Sequence, residues 1–180
     1  MNKFLTSALA SLSLLAPNHA LAQNTFDDHL ELFETLKSVG VVVNINHKLY
    51  CVDTSIDGFY HKEVPLLVIC QDNAQAGGPQ VDWTPNDLDT LRHEAHHVVQ
   101  DCASGIMGDG KFDLLFSEED DFVEFVAKSS FTVEQLKALV GNLAADGLTG
   151  KDILIEVEAY IVAEDIHASV ISDKVKDFCN

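Results

Sequence analysis

Thr84-Pro85-Asn86-Asp87-Leu88-Asp89-Thr90-Leu91-Arg92-His93-Glu94-Ala95-His96-His97-Val98-Val99-Gln100-Asp101-Cys102 is the stretch around which the chain is organised. It predicts a helix with a marked start. Thr84 can cap the orphan amides, Pro85 suits the first helical position, and Asp87 completes a capping-box spacing while favouring the positive end of the helix dipole. Leu88, Leu91, Ala95, Val98 and Val99 supply an apolar side, and the helix is expected to end within residues 102–105.

His93-Glu94-Ala95-His96-His97 on that helix has the spacing HExxH. Histidines four apart lie one turn above each other, so the imidazoles of His93 and His97 can point at one zinc ion, with Glu94 beside them to take a proton from water. His96 points away from that pair and is expected either behind the ligands or on the surface. Gln100 and Asp101 lie near the same end, and either could orient a ligand imidazole through its other nitrogen.

A hydrolytic zinc site takes three protein ligands, so one more donor is needed. A last long helix over residues 151–170 is the best source, with an apolar side centred on Ile155, Ala159, Val162 and Ile166. Glu158, beside small Ala159, is the expected third ligand, because small neighbours let two helices approach; Glu156 is the alternative. His61 and Tyr160 are the side chains considered for stabilising charge on a substrate.

Upstream, Phe26 to Leu36 reads as an amphipathic helix ending near Gly40. Strands are expected in Val41 to Ile45, in His47 to Asp53, and in Leu66 to Cys70, which could present backbone groups to an extended substrate. Residues 71–82 read as a loop. Downstream, Ser117 is expected to cap a helix packed through Phe122, Phe125 and Val126, and Thr132 with Gln135 to cap another carrying Leu136, Leu139 and Val140. The expectation is an α+β fold, mostly helical, with a small sheet preceding the HExxH helix.

The 180 residues hold 29 acidic against 11 basic side chains, a formal net charge of -18. So few cations build neither a phosphate-binding stripe nor a polybasic membrane patch, which excludes nucleic acid as a partner. Residues 1–22 carry Lys3, an apolar run from Phe4 to Leu15 and Ala20-Leu21-Ala22, the pattern of a secretory signal peptide; residues 23–180 then form a single domain, secreted or periplasmic, with no stable membrane insertion after cleavage. The four cysteines of an exported chain favour two disulfides. Three pairings exist in principle, and Cys51–Cys70 with Cys102–Cys179 is the preferred one.

The HExxH helix, with Glu158-Ala159 on a later helix and Gly58-Phe59-Tyr60 and the strand at Leu66 to Cys70 before it, resembles the zincin metallopeptidases, and among them small bacterial gluzincin-like proteins. The resemblance covers about residues 58–163. Val98-Val99-Gln100 after His97 lacks the extension of the metzincins, and no NExxSD-like segment surrounds Glu158. It implies an exported zinc-dependent peptidase acting on a peptide or protein substrate, with Glu94 as the catalytic residue and Zn2+ as cofactor. The alternative is an exported interaction or structural domain that keeps a metal-stabilised scaffold without turnover.

Overall fold

The computed structural model describes residues 25–180, so the expected signal segment lies outside the described residues. The fold is α+β. Its elements in chain order are α1 (Phe26–Ser38), β1 (Val42–Ile45), β2 (Gly58–His61), β3 (Leu66–Ile69), α2 (Pro85–Ala103), α3 (Glu119–Lys128), α4 (Val133–Ala145), α5 (Lys151–Asp165) and α6 (Ala168–Cys179).

Helix α2 begins as its sequence requires. The Thr84 side chain accepts from the Asp87 amide at 3.1 Å and the Asp87 carboxylate accepts from the Thr84 amide at 2.8 Å, a reciprocal box that satisfies two otherwise orphan donors. Asp87 also accepts from the Asp72 amide, which fixes the preceding loop to the helix start. Leu91, Ala95, Val98 and Val99 are all buried, and α1, α5 and α6 pack around them. Burying each Leu or Val contributes about 1.5–3 kcal/mol against the entropy of ordering the chain. A helix so enclosed holds its side chains in a fixed frame, which a metal centre needs.

The sheet has the order β1-β3-β2, with β1 parallel and β2 antiparallel to β3. Leu67, Val68 and Ile69 are fully buried because β3 is central, and a strand covered on both faces reads as an unbroken apolar run. The sequence expectation needs two corrections here. Residues 47–53 form turns rather than a strand, with the Cys51 amide donating to the His47 carbonyl at 2.9 Å, and the third strand is Gly58–His61. Both edges of β3 are taken by its neighbours, so β3 has no backbone groups free for an extended substrate; the edge strand that packs against α2 is β2. Gly58 permits that packing: a Cβ there would fall 2.6 Å from Thr90 Cγ2 and 2.7 Å from the Val68 carbonyl oxygen.

Both expected disulfides are present, Cys51–Cys70 and Cys102–Cys179. The first ties the 47–53 turns to the residue after β3, and the second fastens α6 to the end of α2. Ser117 does not cap α3, whose N-cap is Glu118 without a side-chain bond, whereas Thr132 and Gln135 form the box expected at α4. The single helix expected over 151–170 is two helices. His167 starts α6, its side chain accepting from the Ser169 amide, and Ile166 is extended, so the chain turns after Asp165. Among the described residues no helix is long and apolar enough to cross a membrane.

Candidate metal centre

Helices α2 and α5 bring three donor atoms to one point. His93 Nε2 and His97 Nε2 are 3.1 Å apart, and Glu156 Oε2 lies 3.3 Å from the first and 3.5 Å from the second. Zinc bonds of 2.0–2.1 Å in a tetrahedron require ligand–ligand edges of about 3.3 Å, so the three separations match one ion. The donors also have the right chemistry: two imidazoles and a carboxylate, close enough to hold a metal ion. This corrects the third donor from Glu158 to Glu156, the alternative at the sequence level. Helix α5 is buried at Ile155, Val157, Glu158, Ala159, Ile161, Val162 and Ala163, and residues two apart in a helix point in widely different directions.

Glu158 is fully buried on the other side. His96 Nε2 lies 2.8 Å from its Oε1, Gln100 Nε2 and the Leu115 amide donate to the same oxygen at 3.1 and 3.2 Å, and the Phe116 amide donates to Oε2 at 3.4 Å. His96 is therefore buried behind the ligands rather than on the surface, and burial holds its pKa below the ordinary histidine value against the pull of Glu158.

Gln100, rather than Asp101, meets a ligand imidazole: its Oε1 is 2.7 Å from His97 Nδ1. Asp101 instead accepts from the Tyr60 hydroxyl at 2.6 Å and the Gly108 amide at 2.8 Å, joining β2 and the following loop to α2. Burial, with the hydrogen bond to Asp101, drives the Tyr60 phenol far above its usual range, so it stays a donor. The His97 ring stacks on Phe112, centroids 5.2 Å apart and planes at 12°.

The charges of the cluster are complementary. Burial alone would lower the His97 pKa, but Glu156, Glu94 and Gln100 outweigh it and push it up to about 9. Burial would raise Glu156, yet the hydrogen bonds from His93 and His97 hold it far below the carboxylate range. Both shifts favour positive charge beside the Glu156 carboxylate, the electrostatic setting that a cation would also find there. His93 Nδ1 is buried with no hydrogen-bond partner among the described residues.

Glu94 follows His93 and is 6 % exposed, and burial raises its pKa. It lines a cleft of roughly 450 Å³ together with His93, Thr90, Asp57, Gly58, Phe131, Tyr160 and Glu164. Tyr160 lies four residues after Glu156, hence on the same side of α5, and its ring packs edge-on against His93 with centroids 4.5 Å apart. His61 stands exposed at the end of β2 and is not among the residues lining the cleft. The roles of Glu158 and Phe112 were missed in the sequence, and only the setting of Glu158 between apolar Val157 and Ala159 could have hinted at the first.

No curated protein and no solved structure matches the chain. A family model described as a domain of unknown function, DUF8637, matches residues 19–180, and the chain belongs to that family.

Proposed function

We propose that this chain is an exported zinc-dependent peptidase of zincin type. The observation that carries the proposal is the convergence of His93, His97 and Glu156 on one point, with His93 lining a cleft that Glu94 and Tyr160 also line. His93, His97 and Glu156 would hold the zinc, which would supply Lewis acidity toward water and a scissile carbonyl.

The chain's own residues do the rest. Glu94 is the proton acceptor: burial makes its carboxylate more basic than usual, closer to the operating pH that general-base catalysis favours. As water oxygen bonds to the carbonyl carbon, its proton passes to Glu94; when the carbon–nitrogen bond breaks, that proton goes to the leaving nitrogen. Tyr160, with a phenol whose pKa burial raises, keeps its proton, and as a residue lining the same cleft it is the donor we assign to the oxygen on which charge develops. Two disulfides suit an oxidising compartment, which agrees with secretion or a periplasmic location after removal of residues 1–22.

Glu94→Gln tests this reading. The variant should bind one zinc as the unmodified protein does and lose roughly 10²–10⁴-fold in turnover of a peptide library. Equal turnover in both proteins would sink the mechanism, and zinc binding without turnover in the unmodified protein would favour the metal-stabilised, non-catalytic domain.

A further inference from the structure

We propose that Gln100 and Glu158 act as positioning residues for His97, forming a buried carboxylate–amide relay that sets the ring and tautomer of this ligand. The inference deepens the metal-site reading and rests on it.

Hydrogen-bond accounting leaves one arrangement. Gln100 is fully buried, and its Nε2 is 3.1 Å from the Ile155 carbonyl oxygen and 3.1 Å from Glu158 Oε1. A carbonyl oxygen accepts only, so the amide group of Gln100 must point its NH2 that way. Its oxygen then faces His97 Nδ1 at 2.7 Å, and Nδ1 must be the nitrogen that carries hydrogen. In a neutral imidazole the lone pair is left on Nε2, the atom grouped with His93 and Glu156. A reversed amide would put an N–H against Nδ1, and the neutral ring would then carry its proton on Nε2, where metal has to bind.

Glu158 holds this amide from behind. The Leu115 and Phe116 amides can only donate, so both its oxygens act as acceptors, and with His96 and Gln100 it receives four partners without reaching His93 or His97. The same carboxylate anchors the segment that carries Phe112, and the Asp113 amide donates to the main-chain carbonyl of Gln100 at 3.0 Å. The stacking face of His97 and its hydrogen-bond partner are thereby fixed by one buried group. Glu158, chosen from the sequence as a ligand, serves the ligand instead.

Zinc affinity measured by competition with a chelator reads the effect without reference to turnover. Gln100→Met preserves volume and removes all three side-chain hydrogen bonds, and it should weaken zinc binding about 10–100-fold, the range for losing a group that orients a metal-bound histidine. Thr35→Val is the control, because it breaks the buried Thr35–Ser172 hydrogen bond between α1 and α6, which involves no residue of the donor group, and should lower stability while leaving zinc affinity unchanged. In the unmodified zinc-loaded protein, 15N resonances of the His97 ring should place metal on Nε2 and a slowly exchanging proton on Nδ1. Zinc on Nδ1, or affinity of Gln100→Met within threefold of the unmodified protein, overturns the relay while the metal site stands. Unmodified protein that binds no zinc overturns both.

Discussion

Glu156 and Glu158 stand two residues apart on α5 and serve different histidines: Glu156 lies within 3.5 Å of both His93 and His97, and Glu158 lies 2.8 Å from His96. One carboxylate is partly exposed and the other fully closed in. Glu156→Ala should therefore remove a ligand and weaken zinc binding well beyond the roughly 10–100-fold that follows from losing an orienting partner, with little change in the fold. Glu158→Ala should instead lower thermal stability strongly, since it strands His96, Gln100 and two backbone amides in the interior. Chelator competition and thermal melts on the two variants separate the roles, and the reverse pattern would return the ligand to Glu158.

Tyr160→Phe separates charge stabilisation from packing. The ring remains against His93, so zinc affinity and melting temperature should hold near those of the unmodified protein. Losing one donor to a developing oxyanion costs about 10²–10³-fold in kcat, with KM changing little. Steady-state kinetics on one peptide substrate give both constants, and an unaltered kcat would remove Tyr160 from the mechanism.

The α2 helix was legible because several signals agree on it: a capping box, a proline at the first position, and an apolar side interleaved with the HExxH residues. The two cysteine pairs were legible because four cysteines leave only three pairings and Cys102 falls at a helix end. The third ligand was not, because α5 is apolar on most of its circumference and its period marks no single inward face. Only contact with α2 distinguishes Glu156 from Glu158, and contact between distant segments is not written in local spacing. The second strand was misplaced for a related reason. Leu49, Tyr50 and Val52 resemble strand residues but remain exposed in turns, and Gly58 to His61 pair with β3 despite a short, glycine-led sequence.

His29 gives the fold a pH dependence independent of the metal ligands. It is 2 % exposed; its Nδ1 lies 2.8 Å from the Thr25 carbonyl oxygen and its Nε2 lies 2.7 Å from an Arg92 nitrogen. The carbonyl takes the Nδ1 proton, so Nε2 must accept from the guanidinium, and protonation there would oppose two donors. Burial and the Arg92 charge accordingly lower its pKa from 6.5. A folded state that binds the proton less readily than the unfolded state is most stable above the unfolded value, and that stability is lost as pH falls below 6.5 toward the folded pKa. Metal-free unmodified protein should lose stability relative to His29→Gln between pH 7 and 5, with a slope no steeper than about 1.4 kcal/mol per pH unit for one proton. Parallel melting curves across that range would show that His29 does not titrate differently on folding.

The two disulfides should differ in weight. Cys51 and Cys70 are 19 residues apart and Cys102 and Cys179 are 77 apart, so in the chain-entropy account the second restricts the unfolded chain more. The expected contributions are about 3 and about 4.5 kcal/mol. Position adds to the difference. Cys102 ends the helix that carries His93 and His97, and Cys179 ends α6, which packs on both α1 and α2. The Cys51–Cys70 link braces the turns beside the cleft, where Ser55 to Gly58 form part of the lining. Replacing both Cys102 and Cys179 by Ala should therefore depress the melting temperature of the metal-free protein more than replacing Cys51 and Cys70. The Cys51/Cys70 variant, in turn, should lose more peptide turnover than its drop in stability accounts for, because the cleft wall loosens while the ligand helix stays fixed. Melts and kinetics on the two double variants give the comparison, and a larger stability loss from the Cys51/Cys70 pair would show that strain or residual unfolded structure outweighs loop length here.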